Sequence, residues 1–94
     1  MKTKKAEKFI NEEMAWMAAQ STQTMYMKRG FYTVTTFHPV ACMVEITVHF
    51  DLQNFPSLPA GYLYTEKSYS SHVYYSETLK SPKRVRTLEL VYRW

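Results

Sequence analysis

Only two glycines, Gly30 and Gly61, occur in the 94-residue sequence. A phosphate-cradling loop needs several glycines clustered ahead of a helix, so a P-loop or a Rossmann site is excluded. The single cysteine, Cys42, excludes an internal disulfide; on the apolar parity of a strand it reads as a small core hydrophobe. The opening MKTKKAEKF has the basic start of a signal peptide, but Asn11, Glu12 and Glu13 interrupt the apolar run that would have to follow. No export signal and no membrane span are read, and the expected location is cytoplasmic.

Catalytic patterns are also missing. No serine stands in a nucleophile-elbow motif, and the adjacent Ser71 and His72 turn to opposite sides of a strand. Glu45 and Asp51 lie roughly 20 Å apart on an extended strand, too far for a carboxylate pair. His49 and Asp51, with Glu45 and with His38 or His72 as further ligands, have the chemistry for a metal but no dependable spacing, and read as a solvated strand face. The expectation is a non-enzyme with no catalytic residues, no cofactor and no metal.

What is present is a basic, aromatic chain: twelve Lys and Arg against eight Asp and Glu, a formal net charge of +4, and 16% aromatic residues, eight of them tyrosine. This length makes one domain, residues 1–94, with one modest core and little area to spare for a deep pocket. A site in the hollow between helix and sheet therefore ranks last among the functional readings.

The clearest pattern runs from Phe31 to Leu52. From Cys42 onward the even positions are Cys42, Val44, Ile46, Val48, Phe50 and Leu52, while Glu45, Thr47, His49 and Asp51 alternate with them. Successive strand side chains point to opposite faces, so this is a strand with one dry and one wet side. Tyr32 to Phe37 forms an earlier strand, and His38-Pro39-Val40-Ala41 joins the two as a hairpin.

Lys4 to about Lys28 has helical periodicity, with Ala6, Ile10, Met14, Met17, Ala18, Ser21 and Met25 on one stripe. Thr3 is the expected N-cap and Gly30 the expected C′ residue. The polar stretch Gln20 to Thr24 is the place where this helix would end early. A side stripe of Phe9, Trp16 and Met27 is a second candidate contact, either buried in a concave sheet or available to a partner.

Pro56, Pro59 and Gly61 mark a loop, with Phe55 and Leu58 expected under the sheet edge. Tyr62 to Glu77 reads as one strand bent at Ser68 to Ser71 or as two strands, Leu79 to Lys83 as a turn around Pro82, and Arg84 to Trp94 as a closing strand. The fold class is α+β: an N-terminal helix packed on an antiparallel sheet of about four strands, in the order α-β-β-β-β and two layers. This order is similar to that of cystatin-like folds as topology only. The glutamine-valine-glycine motif of cystatins is absent, so no function carries over.

Two binding features stand out. The aromatic one is Tyr62, Tyr64, Tyr69, Tyr74 and Tyr75, with Lys67 among them; the basic one is Lys80, Lys83, Arg84 and Arg86, with a second basic cluster at Lys2, Lys4, Lys5 and Lys8. Tyrosine supplies large contact area at low entropic cost, which suits binding, inhibiting or adapting a partner protein. The alternative is a nucleic-acid-binding module, with the cations on phosphates and the rings under bases. An exposed edge at Arg84 to Trp94 would let a second copy pair as a homodimer.

Overall fold

A computed structural model describes residues 8–94. Its elements are α1 (Glu12–Lys28), β1 (Tyr32–His38), β2 (Met43–Phe50), β3 (Glu66–Ser76) and β4 (Ser81–Arg93). One helix lies on one face of a four-stranded antiparallel sheet, the expected α-β-β-β-β arrangement. No helix among the described residues is long and apolar enough to cross a membrane.

The helix begins later than its periodicity suggests. Asn11 is the N-cap, its Oδ1 accepting from the Met14 N–H at 2.9 Å, and Glu12 and Glu13 fill the first turn, where carboxylates suit the positive end of the helix dipole. Thr3 and Lys4 to Glu7 lie outside the described residues, and Phe9 is not helical: its N–H donates to the Arg93 carbonyl at 2.8 Å. The polar stretch does not end the helix: Thr22 is buried on the face packed against the sheet, and its hydroxyl is satisfied by donating to the Ala18 carbonyl at 3.1 Å within the turn. The C-terminus is a Schellman motif. Gly30, with φ at +91°, donates to the Met27 carbonyl at 3.0 Å, and Phe31 donates to the Tyr26 carbonyl at 3.1 Å. The Phe31 ring then meets the Tyr26 ring edge-on at 5.6 Å, the hydrophobic contact that accompanies this motif.

The stripe that faces the sheet is Ala15, Ala19, Thr22 and Tyr26, all buried. This corrects the expected stripe: Ile10 is 87% exposed, and Met14 and Met17 are exposed as well. Small residues at 15 and 19 let the helix backbone approach the sheet, and the methionines are left on the flank.

The sheet order is β1-β2-β4-β3. β4 therefore lies in the interior of the sheet and is not an edge, so the expected pairing of Arg84 to Trp94 with a second copy has no open strand for most of its length. Val44, Ile46 and Val48 stand opposite Tyr92, Leu90 and Leu88, and all six are buried under the helix. Fully burying one such aliphatic side chain contributes roughly 1.5–3 kcal/mol. The dry parity of β2 is confirmed from Val44 to Phe50 but fails at its ends. Cys42 is an exposed turn residue with φ at +56°, and Leu52 is exposed beyond the strand. Trp94 is tied into the sheet, its N–H donating to the Cys42 carbonyl at 3.1 Å.

Residues 51–65 carry the chain from β2 across to β3. Asp51 accepts from the N–H groups of Gln53 and Asn54 to start the turn, Pro56 is fully buried and Leu58 packs against the core. β3 is continuous, without the expected bend at Ser68 to Ser71. Pro82 lies inside β4 opposite Tyr75, and the turn comes earlier, with Lys80 donating to the Ser76 carbonyl at 2.7 Å. Proline is tolerated there because β2 pairs with β4 only from Arg86 onward, so that side of the strand needs no donor.

Candidate functional site

Pairing between β2 and β4 stops at Phe50 opposite Arg86, while β3 and β4 continue together to Ser76 and Ser81. The far part of this hairpin is therefore a two-stranded ribbon extending past the core, in a molecule measuring 47 × 32 × 27 Å. Over residues 71–86 the sequence has four cations, Lys80, Lys83, Arg84 and Arg86, against one carboxylate, Glu77, so a net +3 of the chain's +4 is found here.

Residues directly opposite each other in an antiparallel pair share a face. Tyr69 opposes the buried Leu88, which fixes the helix side of the ribbon as Tyr69, Ser71, Val73 and Tyr75 with Arg86, Arg84 and Pro82. The helix packs on β1, β2 and β4 but not on β3, so it leaves this side uncovered. At the base of the uncovered face, Phe55 stacks on Tyr69 with centroids 5.7 Å apart, and Phe50 meets both rings edge-on. Beyond this cluster Val73 and Tyr75 are each 56% exposed.

Arg84 donates from Nη1 to Ser71 Oγ at 2.7 Å, which holds the guanidinium across the ribbon beside Val73. An Arg93–Glu66 ion pair, at 2.7 Å, and a His38–Glu45 hydrogen bond, at 3.3 Å, are found among the described residues. Neither Arg84 nor Arg86 has a carboxylate partner among them. Arg93, by contrast, is held above the ordinary arginine pKa by its hydrogen bond to Glu66 and by the charge of that carboxylate. The outcome is an apolar and aromatic face with two guanidiniums that have no carboxylate partner among the described residues.

The ten candidate residues read from sequence do not share one surface. Tyr69, Tyr75, Arg84 and Arg86 are on the helix side of the ribbon. Tyr74 and Lys83 oppose each other on its other side, and Lys80 is in the turn with φ at +58°. Lys67 is on the helix side nearer the core, with Nζ 5.5 Å from the Tyr64 ring centroid. Tyr62 and Tyr64 belong to the crossing loop and not to a strand. Tyr62 closes an open groove of about 670 Å³ against Met17, Met25, Lys28 and Arg29 of the helix flank.

The second candidate contact is also divided. Phe9 packs on Tyr92 at 6.0 Å and Trp16 on Phe37 at 5.4 Å, so both are part of the core margin, while Met27 is exposed near the helix end. Lys2, Lys4 and Lys5 lie outside the described residues. The metal-ligand candidates are drawn into other roles: His38 pairs with Glu45, His49 lies 5.1 Å from the Tyr32 ring and Asp51 caps its turn. Among the described residues no group of three or more His, Cys, Asp or Glu is placed to hold a metal ion.

The sequence places Phe50 on the dry strand face and Phe55 under the sheet edge, whereas both belong to this face, with Phe55 exposed; Val73 is not singled out by the sequence pattern. Val73 was accessible to it, since it shares the parity of Tyr69 and Tyr75; the place of Phe55 on this face was not, because its stacking partner lies across the crossing loop.

Tyr26 connects this face to the core. The Tyr26 hydroxyl donates to the carbonyls of Pro56 and Ser57, at 3.2 and 3.3 Å, anchoring the loop next to Phe55. Burial pushes its pKa up to about 12; Tyr69 nearby adds to the rise and Arg29 opposes it. Burial likewise pushes Tyr92 up to about 12, partly offset by the Thr22 hydroxyl. That neighbour falls short of hydrogen-bond geometry, and the Tyr92 hydroxyl has no partner among the described residues.

No protein-family model, no curated protein and no solved structure matches the chain.

Proposed function

We propose that this chain is a non-enzymatic interaction domain that binds a partner protein, inhibiting or adapting it, through the helix side of the β3/β4 ribbon. The observation that carries this reading is the uncovered face itself: Phe55, Tyr69, Val73 and Tyr75 exposed on one side together with Arg84 and Arg86, which have no carboxylate partner among the described residues. Aromatic and arginine side chains around an apolar centre are the residue types that dominate protein interfaces. The complementary surface would be apolar with carboxylates at its margin.

Nucleic acid is the second reading, and the same geometry favours it less. Single-strand binding needs ring faces free for bases and a strip of cations along one groove. Here Phe55 and Tyr69 stack on each other, Val73 interrupts the row, and Lys83 points to the opposite side from Arg84. Recovery of one protein at fixed stoichiometry from a nuclease-treated lysate is the expected result. Recovery of nucleic acid alone, released by salt, would contradict the proposal.

A further inference from the structure

Of the two edges of the sheet, β1 has no lysine, proline or bulge to keep it from pairing. Natural edges are protected by lysine, proline, bulges or a covering segment. The seven residues of β1, Tyr32–His38, include no lysine, arginine, carboxylate or proline, and the register with β2 runs through all seven without a bulge. The other edge, β3, starts with Glu66 and Lys67 and is rich in serine. No lysine or arginine occurs between Arg29 and Lys67, so β1 itself brings no cation to a contact between two positively charged copies.

A second observation concerns Thr35, at the middle of the strand. Its Oγ1 is buried and has no hydrogen-bond partner among the described residues. It lies on the helix side, opposite the buried Ile46.

We propose that β1 pairs antiparallel with β1 of a second copy of this chain, with Thr35 on the two-fold axis, joining the two sheets into one. This is the register that engages the whole strand. It sets Val34 opposite Thr36 of the second copy, Thr33 opposite Phe37 and Tyr32 opposite His38. The two Thr35 residues face each other with Cβ atoms about 4.5–5.5 Å apart, and rotation about χ1 turns each hydroxyl out of its buried position so that one donates to the other. The pairing is isologous and closed, since each copy offers the same strand. An unrelated strand would complete the backbone ladder, but only a second copy is certain to bring a threonine hydroxyl opposite Thr35.

The test is sedimentation equilibrium on the purified chain and on the Val34→Lys/Thr36→Lys variant. Both positions are on the solvent side of the sheet, and circular dichroism reports whether the fold is kept. In the proposed register the four ammonium groups are neighbours across the axis, so the expected result is a wild-type dimer and association at least tenfold weaker in the variant. A wild type that remains monomeric at every accessible concentration overturns the proposal, as does a dimer that the folded variant retains. Should the variant not fold, hydrogen exchange on the wild type decides. Protection of the 33–37 amides that rises with protein concentration supports the β1 interface, and its absence overturns it. Charge reversal at Arg84 and Arg86 leaves this dimer intact, which separates its test from that of the ribbon face.

Discussion

The Tyr26 hydroxyl reaches out of the helix to the carbonyl of Pro56, 3.2 Å away, and so fixes the crossing loop against the core next to the aromatic cluster of the ribbon. Phe55 immediately precedes this anchor and stacks on Tyr69. The position of the candidate face thus depends on a bond made from the helix interior.

Tyr26→Phe keeps the ring and removes that bond, leaving the Pro56 and Ser57 carbonyls without the donor. The expected loss of stability is about 1–2 kcal/mol, since a buried acceptor left unpaired costs more than the bond itself contributes. Chemical denaturation measures it, and amide exchange within residues 51–65 should rise more than exchange in β2.

Tyr92→Phe should behave in the opposite way. Its hydroxyl is buried without a partner among the described residues, so removing it is expected to be neutral or to stabilise by up to about 1 kcal/mol at neutral pH. The pair of variants separates burial of a ring from burial of an unpaired hydroxyl.

Both phenols also set an alkaline limit. Their folded pKa values are raised from 10.0 to about 12, so stability is complete below pH 10 and falls as pH rises toward 12, where the unfolded chain ionises and the folded one resists. Each group accounts for on the order of 2 kcal/mol across that window. Denaturation midpoints measured from pH 9 to 12 should fall less steeply in Tyr92→Phe than in wild type.

The helix stripe gives a further expectation. Ala15 and Ala19 are buried where the helix meets the sheet, whereas Met14 and Met17 are exposed. Ala19→Leu should cost about 1–3 kcal/mol by overpacking, and Met17→Ser should change stability by no more than about 0.5 kcal/mol. Equal effects in thermal unfolding would place the contact line elsewhere.

Much of this fold was legible because local rules agreed. Val44 to Phe50 alternates cleanly, and Gly30 marks the helix end because only a residue at ease with positive φ closes a Schellman motif there. The helix face was misread for a physical reason. Met14, Met17, Trp16, Met25 and Tyr26 surround much of the helix, so size suggested the methionines, while close approach to a sheet selects alanine. Residues 68–71 were read as a bend because serines weaken the alternation, although β3 is held straight by β4 along its whole length. The candidate face was legible only in its residue types. Whether Tyr74 or Tyr75 belongs with Arg84 depends on register, and which side of β3 is left uncovered depends on where the helix lies; neither is encoded locally.

The most direct test uses the ribbon as its own control, because it has a tyrosine and a cation on each side. Tyr75→Ser/Arg84→Glu alters the helix side and Tyr74→Ser/Lys83→Glu the other, with the same residue types and nearly the same change in charge. Partner recovered from nuclease-treated lysate is quantified on the immobilised wild type and on both variants. The account predicts at least a tenfold loss for Tyr75→Ser/Arg84→Glu and little change for Tyr74→Ser/Lys83→Glu. Equal losses from the two sides, or a loss confined to the Tyr74 and Lys83 side, would contradict it.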